Sequence, residues 1–149
     1  MGIVYAEITL VNSTDRVLAK RKQIAENEVK RMNVQALVNT GAYMLTITDS
    51  IKRQLDLEPM EIQEVELADG SHVECEIVGP VDVHFRTRCT SCRAVVLPGT
   101  TEVLLGAIPI EDMDVMIDLK NQERTLPAER PYIARTKIKS CLALSRLQW

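Results

Sequence analysis

Aromatic side chains are scarce in this chain of 149 residues, which has one Trp, three Tyr and one Phe, or 3%. A core built from it must be filled by Val, Ile, Leu and Met. Long apolar runs are also missing: none approaches the ~20 residues that a bilayer-spanning helix requires, so no membrane is expected as a partner. An excess of charge of one sign is lacking too. With 21 acidic and 18 basic residues the net charge is −3, which gives no electrostatic reason to expect nucleic acid or an anionic membrane surface. There is no Gly-x-Ser-x-Gly elbow, and His72 and His84 are the sole histidines. Neither a serine nor a cysteine hydrolase is therefore expected. The opening residues lack the basic flank of a secretory signal, and Ala6 stands where a myristoylation signal carries Ser or Thr. A cytoplasmic location is the default expectation, with Cys75, Cys89, Cys92 and Cys141 as free thiols.

What is present fits one soluble domain, with 46% apolar and 26% charged residues. Residues 3–11 alternate through Val4, Ala6, Ile8 and Leu10 and predict a first strand. Residues 12–31 are charged and polar and predict an exposed excursion, at most with a short helical turn. Residues 34–38 form a buried strand leading straight into Asn39-Thr40-Gly41, and 49–57 a helical turn or loop. Alternation returns over 64–76, broken at Asp69-Gly70, the strongest short-range hairpin signal. Gly79-Pro80 is expected to end that element, before a strand in which Val81, Val83 and Phe85 face inward and Asp82 and His84 outward. Short buried strands follow at 94–97 and 103–105, then one short helix at 108–113 with Pro109 in its first turn. Val115, Ile117 and Leu119 predict a strand that turns at 120–122 and returns through 124–126. The expected organisation is an all-β barrel or sandwich over 1–126 and a tail over 127–149.

Three features stand in fixed order: Ala36-Leu37-Val38-Asn39-Thr40-Gly41-Ala42, the Asp69-Gly70 hairpin, and Val103-Leu104-Leu105-Gly106-Ala107 leading into a helix. Together they resemble the retropepsin-like (clan AA) aspartic proteases, especially small bacterial members, over most of the chain. The resemblance implies an all-β acid-protease barrel that forms a homodimer, hydrolyses peptide bonds with a pair of aspartates, and needs no metal or organic cofactor. It further implies that position 39 is the catalytic slot, shaped by Thr40 and Gly41. Ala42, Ala68, Asp69, Gly70, Leu105 and Gly106 would line the substrate site, with Asp69-Gly70 at the tip of a flap. Two carboxyl groups held close share one proton, so one can take a proton from water while the other polarises the scissile carbonyl. One chain carries one motif, so the pair requires two copies on a two-fold axis.

Position 39 departs from that pattern, because it is Asn. A neutral amide keeps the shape and the hydrogen-bonding capacity of Asp but cannot accept a proton from water. In a homodimer both groups are lost together, and losing general acid–base catalysis alone costs roughly 10²–10⁴ in rate. Two readings stand: a disabled aspartic endopeptidase, or a non-catalytic peptide-binding module on the same fold. Cys89-Thr90-Ser91-Cys92 has the spacing of half a zinc site, but no second such pair exists, and two ordinary cysteines at a strand turn are the expectation. Asp112, Asp114 and Asp118 lack the spacing of a calcium loop and read as solvated acids.

Overall fold

The computed structural model describes residues 3–118 and 123–125. The tail expected over 127–149, the turn at 120–122 and Cys141 lie outside them. Among the described residues nine strands form in chain order: β1 (Tyr5–Asn12), β2 (Arg31–Val38), β3 (Leu45–Ile47), β4 (Glu58–Glu66), β5 (His72–Phe85), β6 (Arg88–Val96), β7 (Val103–Leu105), β8 (Met116–Asp118) and β9 (Glu123–Thr125). The main sheet runs β1-β2-β7-β3-β6-β5-β4, and a further pairing of β1 with β5 closes six of these strands into a barrel. β4 stays outside the ring as a flange on β5. The β8–β9 pair forms a separate small hairpin with Ile117 opposite Arg124.

The period-2 pattern explains the barrel interior. Ala6, Ile8 and Leu10 of β1 point inward and meet Ala36, Leu45, Ile47, Val81, Val83 and Ala94 in one buried cluster. Phe85 is the one aromatic residue among its buried members, so aliphatic side chains do fill the core. A second cluster, Cys75, Ile77 and Val95 with Met44, Val65, Val73 and Leu97 against it, lies where the β4–β5 hairpin leaves the barrel.

Three expectations are corrected. Helices number three among the described residues, not one: α1 (Ser13–Lys20), α2 (Asp49–Leu55) and α3 (Ala107–Asp112). Side-chain caps explain the first two. Asn12 accepts from the Asp15 N–H and Thr48 from the Ile51 N–H, each satisfying a donor that a helix start leaves open. The excursion at 12–31 is therefore a two-turn helix and a 3-10 turn, Glu26–Glu28, anchored by buried Asn12, Ser13 and Val29. Finally, Gly79-Pro80 does not end a strand. β5 runs through it with a register shift against β6 between Val78 and Val81, because Gly79 takes φ +141°, a backbone open to glycine.

Candidate functional site

β7 lies between β2 and β3, parallel to the first and antiparallel to the second. The connection over residues 39–44 must therefore cross the end of β7. Backbone bonds fix the crossing: the Asn39 N–H donates to the Leu105 carbonyl at 3.0 Å, the Ala107 N–H to the Ala42 carbonyl at 2.8 Å, and the Ile108 N–H to the Tyr43 carbonyl at 2.9 Å. The last two donors belong to the first turn of α3, where a helix has no partners of its own. Loop and helix thus satisfy each other.

Gly106 makes this approach feasible. A Cβ there would sit 2.4 Å from the Met44 carbonyl oxygen and 2.8 Å from that of Ala42. Any larger residue would push the loop off the strand. Gly41 acts by leaving space rather than by its backbone conformation. Its φ is not among the positive ones, and a Cβ would instead press on Asn39 Oδ1 at 3.2 Å. That oxygen accepts the Gly41 N–H at 3.0 Å, and the Ala42 N–H donates to the Asn39 carbonyl at 3.1 Å. Asn39 is half-buried, whereas Thr40 and Gly41 are exposed. A carboxylate in place of this amide would accept the same Gly41 N–H, a bond that favours the ionised form.

The β4–β5 hairpin turns where Asp69-Gly70 predicts. The Gly70 N–H donates to the Leu67 carbonyl and the Leu67 N–H to that of Ser71, so the loop has three residues, Ala68, Asp69 and Gly70. Gly70 alone takes positive φ, +85°, as in a type I turn closed by a glycine bulge. Asp69 Oδ1 accepts from both the Ser71 N–H and the Ser71 hydroxyl, and those bonds hold the Asp69 carboxyl below its usual range. Ala68, Asp69 and Gly70 are exposed. No hydrogen bond or ion pair among the described residues joins this tip to the Asn39 loop. What the two share is the second apolar cluster, in which Met44 at the loop's end packs with Val65 and Val73 of the hairpin.

Sequence reasoning missed several residues here. Tyr43 (76% exposed) and Ile108 (52%) are joined by a backbone bond and present apolar surface beside Asn39. Asp82, expected on the polar face of its strand, is 1% exposed at its side chain. α1 covers it, and it accepts from Ser13, Ser91 and Arg16. Burial alone would raise the Asp82 carboxyl, but those bonds and the Arg16 charge together hold it below the usual carboxylate range. The Asn12 cap visible in the sequence was the available signal that a helix could return over this face.

The cysteine pair lies inside β6, not at a turn. Cys89 is exposed opposite His84, with Sγ 3.7 Å from Nε2, while Cys92 pairs with Val81 and packs on the core. Residues three apart in a strand face opposite sides, so the two thiols do not converge. Burial pushes Cys92 up to about 12 and raises Cys89 as well, so both stay protonated. Among the described residues no group of three or more His, Cys, Asp or Glu is placed to hold a metal. None of their helices is long and apolar enough to cross a membrane.

Charge is distributed unevenly, which the net value hides. Residues 54–85 hold nine of the 21 acidic residues and none of the 18 Lys and Arg, so this stretch carries −9 and the rest of the chain +6. The −9 falls mainly on the β4–β5 hairpin. No family model matches the chain, and no curated protein matches it.

Proposed function

We propose that this chain is a retropepsin-like aspartic endopeptidase domain, acting as a homodimer on extended peptides, with its catalytic slot at residue 39 occupied by Asn. The observation that carries this reading is the crossing of the Asn39-Thr40-Gly41-Ala42 loop over Leu105-Gly106, held by backbone bonds and possible only without a Cβ at Gly106. Such a crossing anchors one residue at the end of a barrel strand, and acid–base chemistry needs a fixed position of that kind. It also leaves Thr40 at the surface, free to bond a second copy of the loop. The exposed apolar side chains of Tyr43 and Ile108 next to it suit burial between two copies.

With Asp at residue 39, two loops brought together would share one proton between two carboxylates. One would take a proton from the attacking water as the other, protonated, polarised the peptide carbonyl. With Asn both roles are lost, and a peptide is bound but not cut. The test is cleavage of a mixed-peptide library by the Asn39→Asp variant beside the parent chain, from acidic to neutral pH. Cleavage by the variant alone, at least 10²-fold above the parent, is expected. Absence of cleavage by both while dimers persist in solution would refute the endopeptidase reading.

The second reading, a peptide-binding module that never cuts, draws on a specific feature. The Asn39 side chain is already engaged with Gly41 as a neutral group, so the loop is complete without a carboxylate. An Asn39→Asp variant that binds peptide but does not cleave it would favour this alternative.

A further inference from the structure

We infer that the β4–β5 hairpin is a docking edge for an extended, Lys/Arg-rich peptide segment. The inference deepens the peptide-binding reading above by naming the substrate class, and rests on it. β4 is the terminal strand of the sheet and is paired only with β5 among the described residues. Its other edge therefore offers a row of backbone groups to an incoming strand. Met60 and Ile62 stand on this strand half or more exposed, Ile62 at 70%, as apolar anchors.

The charges decide which strand is accepted. On one face of the hairpin Ile62, Glu64 and Glu66 stand opposite Glu76, Glu74 and His72. Lys52 pairs with Glu76, and on the other face Arg93 pairs with Glu61. Glu64 and Glu74 face each other directly with no ion pair among the described residues, and both are exposed. Like charges directly opposite each other are destabilising. Charged edges protect sheets from pairing with their own kind. β6 pairs with β5 only from Glu76 on, so among the described residues Glu74 stands on a two-stranded part of the hairpin, and an edge that repels acidic strands attracts a strand of opposite charge. A cation near Glu64 and Glu74 offsets the repulsion, and alternating Lys or Arg side chains on a strand added to β4 would stand beside Glu64. Nucleic acid and acidic peptides are repelled by the same field.

The test uses the full chain, with Asn39 in place, and two fluorescent nine-residue probes, one alternating Lys and Val, the other Glu and Val. Anisotropy titration at low salt is expected to give a Kd for the Lys probe at least tenfold below that for the Glu probe, rising with ionic strength. The Glu64→Gln/Glu74→Gln variant should weaken the Lys probe about tenfold, a conservative change that relieves repulsion and leaves the fold intact. A charge-matched control, Glu26→Gln/Glu28→Gln on the 3-10 turn, should leave it unchanged. Equal binding of both probes, an unaffected hairpin variant, an equal loss in the control, or binding of neither probe would overturn the inference. Cleavage of an uncharged peptide by Asn39→Asp reads the protease proposal separately. Cleavage without Lys-probe binding overturns the docking edge alone, whereas Lys-probe binding without cleavage overturns the endopeptidase reading alone.

Discussion

The two halves of β5 carry the same kind of sequence and meet opposite fates. In 73–77 and again in 81–85, apolar residues alternate with polar or acidic ones. In the first half Glu74 remains in solvent, paired across to β4 alone among the described residues. In the second half Asp82 is as buried as Val81 and Val83, because α1 returns over that face and supplies Ser13 and Arg16. Alternation states which residues share a face, but not what will cover it. A carboxylate with three protein donors stands under the helix, and one with a like-charged neighbour stands in water.

Substitutions can test this contrast, and the largest effect is expected at Asp82. Asp82→Ala strands the buried Ser13 hydroxyl and releases Arg16, so we expect a loss of about 3 kcal/mol in urea unfolding. An unchanged midpoint would mean that α1 is not held there. The same carboxylate sets a pH dependence. Its folded pKa lies below the unfolded value of about 3.9, so its contribution is fully present above that pH and is lost as pH falls through the folded value. The acid limb of a stability–pH curve should flatten in Asp82→Asn. A smaller loss, about 2 kcal/mol, is expected for Gly79→Ala at the junction of the two halves. Its φ of +141° is costly for any side chain, and a Cβ would lie 3.3 Å from the Cys92 carbonyl oxygen. Thermal melts check this, and equal stability would show that the junction relaxes freely. Smallest is Glu74→Gln, which should raise stability by roughly 0.2–1 kcal/mol by removing the repulsion with Glu64. A loss instead would show that Glu74 has a favourable partner.

The same contrast explains how far the sequence could be read. The Asn39 loop, the hairpin turn and the apolar strand ending at Gly106 were legible because each is a local pattern: a tripeptide after a buried run, a turn pair between alternating runs, a glycine after three apolar residues. Strands β1 and β5 followed from period 2, β2, β7 and the end of β6 from short apolar runs, and the aliphatic core from the shortage of aromatic residues, while the three residues of β3 were too few to announce a strand. The burial of Asp82 was not legible, since it depends on a helix some seventy residues earlier in the chain. The unbroken path of β5 through Gly79-Pro80 escaped as well, because a backbone bulge keeps pairing on both sides of a sequence signal that normally stops a strand. Helices α1 and α2 are too short for a periodic pattern, and only their caps, Asn12 and Thr48, announce them. The acidic stretch was open to view and hidden only by summing charge over the whole chain.

The crossing at Gly106 also imposes an order in time. Ala36 pairs with Val103, sixty-seven residues further along, and the Asn39 N–H finds its acceptor only at Leu105. Such distant contacts form late, after the loop between them has been closed at an entropic cost. During synthesis the hairpin over 58–85, whose partners are near in sequence, can pair well before the residue 39 loop has anything to rest on. The last part of the candidate site to set is therefore the loop itself, and the nascent chain holds no fixed geometry at residue 39 until Gly106 has left the ribosome.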